Sequence, residues 1–500
     1  MISRVTPAFS RLGGISFLAG LILAGSLIFL VPLPDLRGPQ VAAFLILYLA
    51  ASAAYVAAVL RLGRDGMPMA VIWGLAILFR LLLLLTEQSL SDDVYRFIWD
   101  GHLLRQGISP YARAVSSQLL DPFEIPVRSL VNHDWMASPY LPAAQLIFLP
   151  IPGQVFAFRF AAVTLDLSIG LLLVASLKRV SIPAAGVLIY LWNPLILTEF
   201  SNGAHIVDAW MVFLVILAFW LMLRTNDSPR YKNLVTYGAV ISLAAAALTK
   251  GLPALLLPIF FRRWRWKYFF LFAGLVVAVL FVFSLAAGWG LFGPLDGTGL
   301  FGALRIYTAQ WNFNSSSYHW LEVLLSGYQT PGAVPPGIAG QTPILVARLL
   351  TSAAIFLVSL LAGIWAWRLD SDARAGYLAR TLALFRLSVI PIAAYLLLTH
   401  TVHPWYAVFI VALLPFLLPT KDEGIQLSRF IWPGLYLSLA VSLSYVTYLD
   451  PNDLREYSFV RPLEYLQVFG LLIWAAWPWL YQGLILLVVS GMGWARIYRQ

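Results

Sequence analysis

The sequence contains no cysteine among its 500 residues, so disulfide bonds and thiolate metal sites are excluded. Charge is also scarce, because only 11% of the residues are Asp, Glu, Lys or Arg, about half the share of a soluble domain. Apolar and aromatic residues make up 60% of the chain, and the mean hydropathy is +0.81. This composition predicts an all-α polytopic membrane protein rather than a soluble globular one.

No cleavable signal peptide, internal repeat, low-complexity tract or soluble domain is visible in the sequence. The first apolar run, Gly13–Val31, follows Arg4 and Arg11, but it is too long for a signal peptide and lacks a clear cleavage site. It is interpreted as a first transmembrane helix that is retained. We expect residues 1–500 to form a single membrane domain.

The apolar runs set the number of crossings, because a spanning helix needs about 20 mostly apolar residues. This rule predicts about 12 to 14 transmembrane helices. They lie near residues 13–33, 41–60, 70–88, 154–177, 181–199, 206–223, 233–249, 267–290, 343–367, 380–400, 404–419, 428–448 and 463–490. The run Leu252–Phe261 is shorter, and it is either a tilted short helix or half of a re-entrant pair.

The net charge of +10 is interpreted as a topology signal and not as a sign of nucleic-acid binding. Basic clusters lie between alternate apolar runs, and the positive-inside rule places such clusters in the cytoplasm. Both termini are then cytoplasmic, provided that residues 233–261 cross twice or dip in and return. The extracytoplasmic face receives the longer loops 91–153, 291–342 and 449–462, in which short surface helices are expected.

The unusual polar residues converge on that extracytoplasmic face, although the orientation follows from the basic clusters alone. Ionisable residues beside a bilayer are costly unless they are paired, lie in a wet cavity or do chemistry. The motifs are Ser91–Tyr111, Asn202–Asp208 with Glu199 just before it, Thr249–Gly251, Trp311–Trp320 and His400–Tyr406. Their convergence predicts a functional site at this face.

The stretch Ser91–Tyr111 begins with two adjacent carboxylates, Asp92 and Asp93. Ser91 can cap a helix N-terminus, and the helix dipole favours acids in the first turn. Arg96 follows at helical spacing, so an ion pair with either acid is available. One interpretation is a capped surface helix whose acids serve only the cap. The other is a site in which a carboxylate accepts a proton from a reacting hydroxyl group.

Lys250 is a lone cation near the outer end of a membrane segment. It either snorkels to the interface or binds an anionic group such as a lipid phosphate. Glu199, His205 and Asp208 lie close together in the sequence at a helix start. They either orient a substrate or cap the helix.

His400 and His403 lie one helical turn apart, and Trp405 and Tyr406 follow. Two histidines at this spacing can bind a divalent metal together with distant carboxylates. No HExxH or similar pattern supports a metal site, so hydrogen bonds to a sugar or phosphate are favoured, with the two aromatic rings as platforms. We expect no metal and no other cofactor.

The candidate site therefore combines acids with cationic, amide and aromatic residues. The predicted catalytic residues are Asp92 and Asp93. The predicted substrate-binding residues are Tyr95, Arg96, Trp99, Asp100, Tyr111, Glu199, Asn202, His205, Asp208, Lys250, His400, His403 and Tyr406. Four further polar residues within the predicted spans are expected to find partners inside the bundle, namely Arg80, Arg159, Asp166 and Arg386.

The order Ser-Asp-Asp-Val-Tyr-Arg-x-x-Trp-Asp-Gly, then Gly-Ile-Ser-Pro-Tyr, resembles the first large extracytoplasmic loop of the GT-C superfamily. These are polytopic glycosyltransferases that use polyprenyl-phosphate-linked sugars. The likeness is closest to bacterial lipid-linked mannosyltransferases and to the related mannosyltransferase of glycosylphosphatidylinositol assembly. Later pieces are also similar, namely Trp192–Pro194, Lys250–Gly251, Trp311–Asn314 and His403–Tyr406.

The resemblance implies a GT-C-like bundle in the plasma (inner) membrane, with an extracytoplasmic active site that serves the cell envelope. It implies an inverting hexosyltransferase, with mannose as the sugar, a polyprenyl-phosphate donor and a lipid or glycan acceptor. The expected state is a monomer among membrane lipids, with no nucleic-acid partner. The two acids are adjacent here and not spaced as Asp-x-Asp, so either can be the base, and Asp92 is preferred.

The alternative is a secondary transporter or flippase for a lipid-linked or polar solute, because intramembrane charges and a re-entrant segment are typical of transporters. Against this, the polar residues gather at one face rather than at the midplane, and no internal repeat is visible. A structural scaffold would leave the clustered acids unexplained.

Overall fold

The computed structural model describes residues 13–288, 297–326, 338–372, 374–421, 428–450 and 456–478. These residues form helices joined by turns, and the prediction of an all-α fold is confirmed. In the described part, the one isolated β-bridge pairs Phe313 in parallel with Thr401. Parts of the predicted loops 291–342 and 449–462, and the end of the predicted span 463–490, lie outside the described residues.

The α-helices are numbered in chain order. The first nine are α1 (Gly14–Ile28), α2 (Val41–Leu60), α3 (Met69–Leu84), α4 (Asp93–Arg105), α5 (Pro142–Phe148), α6 (Val155–Arg179), α7 (Leu188–Leu191), α8 (Pro194–Ser201) and α9 (Ile206–Arg224). The others are α10 (Lys232–Thr249), α11 (Leu257–Ala286), α12 (Gly302–Gln310), α13 (Ser317–Ser326), α14 (Ile338–Ser371), α15 (Tyr377–Leu387), α16 (Val389–Leu398), α17 (Val408–Leu413) and α18 (Ile431–Ala440).

Seven helical stretches in the described part are long and apolar enough to cross a membrane. They are Gly38–Leu60, Val155–Arg179, Ile206–Arg224, Lys232–Thr249, Leu252–Ala286, Ile344–Ser371 and Tyr377–Leu398. Three shorter apolar helices accompany them, namely Gly14–Ile28, Met69–Leu84 and Pro404–Leu417. The chain is thus a helical membrane protein, whereas the larger predicted number of crossings remains a prediction.

The predicted helix over residues 181–199 is broken near Pro194, where Ala184–Leu191 and α8 meet at 57°. The side chain of Asn193 accepts a hydrogen bond from the Leu195 N–H at 3.0 Å and so caps α8. Pro194 begins the helix, where its missing N–H leaves no helical bond unmade. As a result α8, which carries Glu199, is a separate helix that is buried along its whole length.

The run Leu252–Phe261 leads directly into α11, which ends at Ala286. Within it, Arg265 has a left-handed backbone with φ 52° and ψ −176°, which breaks the helical path. The break lies inside the basic cluster that the sequence assigns to the cytoplasm. This agrees with one crossing before the cluster and one after it. The number of crossings remains a prediction.

Helix α9 is the central element of the bundle. Its membrane-length segment is 72% buried and packs against α10 and α6, whereas Leu252–Ala286 is only 11% buried. A helix that is apolar all round and buried belongs in the core, and one that is apolar and exposed suits contact with lipid. Asp208 lies in the first turn of α9, so this acid is held by the central helix of the fold.

The expectation that the polar residues within the spans find partners is confirmed. Arg80 donates to both oxygens of Asp166 at 2.6 and 3.1 Å, and both side chains are buried. The other two arginines donate to backbone carbonyl oxygens, which belong to Leu83, Thr86 and Ser201 for Arg159, and to Phe416 and Leu418 for Arg386.

Helix α4 lies directly against α5 in the first large loop. Gly101 permits this approach, because a Cβ atom there would come within 2.8 Å of the Phe148 carbonyl oxygen. The contact fixes the position of α4, and therefore of the acids at its start.

Candidate active site

The two adjacent acids lie at the N-terminus of α4. Asp92 precedes the helix and Asp93 is its first residue, yet the Asp92 side chain makes no capping hydrogen bond. The hydroxyl of Ser91 accepts the N–H of Asp93 at 3.2 Å, in line with its predicted capping role. Because Ser91 supplies this bond, the carboxylates remain available for other partners.

Asn132 connects the two acids. Its side-chain nitrogen donates to Asp92 Oδ1 at 2.8 Å and to Asp93 Oδ1 at 3.2 Å. Both acids are partly exposed, as is Asn132. Asn132 is not predicted from the sequence, because it lies 40 residues beyond Asp92 and no local spacing links them.

Arg96 donates to the backbone of the loop that carries Asn132, and not to the two acids as the helical spacing predicts. Within the described residues, its guanidinium bonds to the carbonyl oxygens of Asn132 and His133 at 2.8 Å each, and to that of Met136 at 3.2 Å. The predicted ion pair is wrong because the loop folds over α4 and presents these carbonyl groups to a buried cation. Arg96 thus holds the loop in place.

The environment of Asp93 raises its pKa to about 6. Burial is the largest cause, and the neighbouring charges of Asp92 and Asp208 act in the same direction. The hydrogen bond from Asn132 and the positive charge of Arg96 act against them. Asp93 is therefore a carboxylate that takes up a proton more readily than an ordinary aspartate.

Lys250 forms an ion pair with Asp208, its Nζ lying 2.7 Å from Oδ1. The same ammonium lies 3.7 Å from the centre of the Tyr406 ring, and the hydroxyl groups of Tyr406 and Tyr307 are 2.6 Å apart. This excludes a lysine that merely snorkels into water. The pair links α9 and α10, whose ends bring these two predicted residues together.

Asp93 and Asp208 both act on the hydroxyl group of Tyr307. Burial raises the pKa of the Tyr307 hydroxyl, and both Asp93 and Asp208 raise it further. Asp208 also raises the pKa of Asp93 itself, so the charges at the start of α4 and at the start of α9 interact directly. The structure thus brings the first and second polar motifs of the sequence into one cluster.

Stacked rings form another part of this cluster. The Trp405 ring stacks on His205 with centroids 4.0 Å apart and on His403 at 4.4 Å, and His403 also stacks on Phe313 at 4.8 Å. Burial, and to a lesser degree the charge of Lys250, lowers the pKa of His403 to about 3, so this ring is neutral. A neutral ring can pack against a ligand or donate a hydrogen bond, but it adds no charge.

Glu199 is completely buried and lies next to His205, one of the stacked rings. The hydroxyl of Tyr445 donates to its two oxygens at 2.9 and 3.2 Å, and His205 Nε2 lies 3.3 Å from Oε2. Tyr445 was missed because it lies within an apolar run that was read only as a span. Glu199 therefore supports His205, and through it the stacked rings.

Asp100 and Tyr111 are bound within the loop itself. Asp100 is buried and accepts hydrogen bonds from Ser138 and from Gln145, the latter at 2.9 Å. The Tyr111 hydroxyl donates to the Tyr140 carbonyl oxygen at 2.6 Å. These contacts join α4 and the turn that follows it to α5 and to the segment before α5.

Trp99 and Tyr95 pack in a small apolar cluster under the same loop. Trp99 is fully buried, and the Arg128 guanidinium lies 5.5 Å from the ring centroid. Tyr95 is partly buried and contacts both this cluster and the main core. Their contacts stabilise the loop around the acids.

Asn202 and His400 also use their polar atoms on the protein. The Asn202 amide donates to Thr86 Oγ1 at 2.9 Å and to the Glu87 carbonyl oxygen at 2.6 Å, and accepts from the Leu90 N–H at 3.1 Å. His400 Nδ1 lies 2.9 Å from the Trp311 carbonyl oxygen. Asn202 thus fixes the chain just before the acids.

Among the described residues, no group of three or more His, Asp or Glu side chains is arranged to hold one metal ion. The two histidines of the motif His400–Tyr406 differ in their surroundings, since His400 bonds to the backbone and His403 stacks on Trp405 and Phe313.

The comparisons with known proteins add an independent finding. Residues 15–266 match a family model described as MptA_B family, alpha-(1->6)-mannopyranosyltransferase, N-terminal domain. Neither a curated protein nor a solved structure matches the chain. The matched part contains the acid pair, Asn132 and the Lys250–Asp208 pair, whereas the rings of Phe313, His403 and Trp405 lie beyond it.

Proposed function

The chain belongs to the alpha-(1->6)-mannopyranosyltransferase family, and on this basis we propose that it transfers mannose from a polyprenyl-phosphate donor to a lipid or glycan acceptor at the extracytoplasmic face of the membrane. It is a membrane glycosyltransferase, as its family and its apolar helices indicate. The observation that supports the finer proposal is the acid pair, which Asn132 bridges and in which Asp93 interacts electrostatically with Asp208, the partner of Lys250.

The proposed reaction is an inverting displacement at the anomeric carbon. The acceptor hydroxyl oxygen forms the new bond to this carbon, while the bond from the carbon to the phosphate oxygen breaks and its electron pair leaves with the phosphate. The hydroxyl proton passes to an aspartate carboxylate. An α-linked product formed with inversion requires a donor in which mannose is β-linked to the phosphate. The leaving phosphate needs no proton, so one base suffices.

Asp93 is the residue that we assign as the base. A base works best when its pKa lies near the working pH, and burial with two neighbouring acids raises the pKa of Asp93 to about 6. The sequence alone favours Asp92, whereas the interaction of Asp93 with Asp208 supports Asp93. Asp92 then binds hydroxyl groups of the acceptor or the sugar.

Lys250 is assigned to the donor phosphate. An ammonium group carries three N–H donors, and Asp208 accepts from Lys250 through one close oxygen. The remaining donors can bond to phosphate oxygens, which gather negative charge as the bond to the sugar breaks. Asp208 then fixes the direction of the lysine side chain.

Trp405 and His403 are assigned to the sugar. Both side chains are partly exposed, and their stacked rings offer a flat apolar surface beside the polar groups. The apolar face of a hexose can pack on such rings while its hydroxyl groups bond to neighbouring polar atoms. The family match favours this assignment over the transporter alternative.

The test uses purified full-length protein in detergent with a tritium-labelled mannosyl polyprenyl phosphate and a membrane-lipid extract as acceptor source. Asp93→Asn should abolish transfer, Asp92→Asn should reduce it, and Asp121→Asn should leave it unchanged. Asp121 is a suitable control because it is an exposed acid of the same loop whose pair with Arg128 adds little. Normal transfer by both Asp92→Asn and Asp93→Asn would refute the assignment of this loop.

A further inference from the structure

A single side-chain nitrogen lies between the two carboxylates of the site. The amide group of Asn132 has two hydrogens, and its distances of 2.8 and 3.2 Å direct one toward each acid. Adjacent carboxylates repel each other, so a shared uncharged donor reduces the energy of the state in which both are ionised. No cation is required for this effect.

The position of Asn132 is fixed from α4 itself. Arg96 bonds to the carbonyl oxygens of Asn132 and His133, at 2.8 Å each. His133 has a left-handed backbone with φ 48°, a conformation that the arginine bond helps to hold. The helix that carries the two acids therefore also anchors the loop that supplies their donor. Arg96 on the helix holds the backbone of Asn132, and the side chain of Asn132 binds the acids of the same helix.

Charged groups from several elements face Asp93. Asp92 and Arg96 belong to its own helix, and Asp208 with its partner Lys250 comes from α9 and α10. Two groups close to Asp92 can also contribute, namely His133 in the loop and Tyr448, on whose ring the guanidinium of Arg37 lies. Asp92 and Asp208 raise the pKa of Asp93, whereas Arg96 and the neutral hydrogen bond from Asn132 lower it.

We infer that Asn132 is a positioning residue of the transfer reaction, which keeps the base carboxylate ionised and directed at the acceptor through hydrogen bonds to both Asp92 and Asp93. The inference rests on the proposed function and deepens it, because it assigns the control of the base to a loop residue that does not touch the reacting atoms. Asn132 acts only through the acids.

The expected consequence is a change in pH dependence and not a uniform loss of activity. The hydrogen bond from Asn132 lowers the pKa of Asp93, so Asn132→Ala should move the acidic limb of kcat upward by about one pH unit. The kcat should fall about fivefold at pH 6, approach a tenfold fall below pH 5 and stay nearly unchanged at pH 8, with KM for the donor nearly unchanged. Asn132→Asp, which keeps the volume but adds a third carboxylate, should move the limb further.

Asn312→Ala is the matched control. Asn312 also lies in a predicted extracytoplasmic loop, and its amide donates to the Glu322 carboxylate at 2.9 Å, but neither residue contacts the acid pair. This variant should keep the wild-type pH profile. Thermal unfolding in detergent compares the folding of all variants.

A second readout does not depend on transfer. Infrared difference spectra between pH 8 and pH 5 record the C=O band of protonated carboxyl groups. The part of this band that disappears in Asp93→Asn gives the titration midpoint of Asp93, and Asn132→Ala should raise that midpoint by about one pH unit.

The outcomes separate the two proposals. If the wild-type protein transfers no mannose but Asn132→Ala still raises the infrared midpoint, the proposed function fails and the link from Asn132 to the acids stands. If wild-type protein is active and Asn132→Ala lowers kcat equally at all pH values with an unchanged midpoint, the inference is overturned. If Asn132→Ala is inactive at every pH, the infrared midpoint of Asp93 and the variant Asn132→Asp decide the matter. The inference then requires a raised midpoint in Asn132→Ala and an activity of Asn132→Asp that returns as the pH rises.

Discussion

Lys250 and Asp208 form a 2.7 Å ion pair between two helix ends, and each was singled out separately by the sequence. Asp208 is almost fully buried, whereas about a fifth of the Lys250 side chain is exposed (22%). The lysine therefore has one side bound to protein and another open to a ligand. This asymmetry supports our proposal that Lys250 binds the donor phosphate.

Lys250→Met should weaken donor binding more than it alters acceptor use. Loss of one bond to a charged group is worth roughly 1.5–3 kcal/mol, so the donor Kd should rise at least tenfold. Equilibrium binding of the labelled donor lipid measures this. Lys232→Met, at the opposite end of α10, is the control and should bind normally. An unchanged donor Kd in Lys250→Met would remove Lys250 from the site.

The same variant should also be less stable, because Asp208 loses its partner. Breaking a fully buried pair costs roughly 3–5 kcal/mol, and the partial exposure of Lys250 reduces the expected loss to roughly 2 kcal/mol. Adding Asp208→Asn to Lys250→Met should recover part of the lost stability. Thermal unfolding of the single and double variants would contradict this if the two losses simply added.

Transfer should rise with pH through about pH 6. The pKa of Asp93 is raised to about 6 by burial and by its acidic neighbours, and only the ionised carboxylate can accept a proton. The rate should therefore fall about tenfold for each pH unit below 6 and level off above 7. Measuring kcat/KM from pH 4.5 to 8 tests this, and a flat profile down to pH 5 would exclude Asp93 as the base.

Asp93→Asn should stabilise the protein at pH 8 while it abolishes transfer. Since the folded-state pKa lies above the ordinary value of 3.8, ionised Asp93 disfavours the fold above about pH 6, and this effect disappears as the pH falls toward 4. The gain should be about 1–2 kcal/mol at pH 8, after allowance for partial exposure, and close to zero at pH 4. Unfolding curves at the two pH values give the comparison.

Trp405→Ala should impair recognition of the sugar. The ring stacks on His205 and His403, so its removal takes away the flat surface and frees two neighbouring rings. A stacking contact is worth roughly 0.5–1.5 kcal/mol, which predicts a rise in KM of about three- to tenfold. Trp320→Ala, at an exposed tryptophan of α13, is the control. Equal effects of both variants would argue against a sugar platform at Trp405.

Periodicity and length predicted the long helices well. The predicted spans 41–60 and 206–223 agree closely with Val41–Leu60 and Ile206–Arg224, because an uninterrupted apolar run leaves the backbone no alternative to a helix in lipid. The break at Pro194 was missed, although Asn193 and Pro194 are a common helix start. In a strongly apolar run, this local signal was outweighed by hydropathy.

Contacts between distant residues explain the other differences. The spacing of Arg96 predicts a bond to one of the acids three and four residues before it, but the folded loop offers the carbonyl oxygens of Asn132 and His133 instead. Asn132 itself has no periodic or charge signal. Residue types alone indicated which groups gather at one face, whereas the partner of each group depended on how the loop closes over α4.

The hydrogen bonds of Asn202 have a consequence for chain length. Asn202 binds Thr86, Glu87 and Leu90. The end of α8 therefore fixes the position of the segment that connects α3 to the acids. Inserting one residue between Glu87 and Ser91 would lengthen this non-helical segment by up to about 3.5 Å and displace the start of α4 from that point. Every side chain of the site would still be present in such a protein, yet the acids would point elsewhere. The number of residues in this segment is therefore as much a property of the site as the identity of its carboxylates.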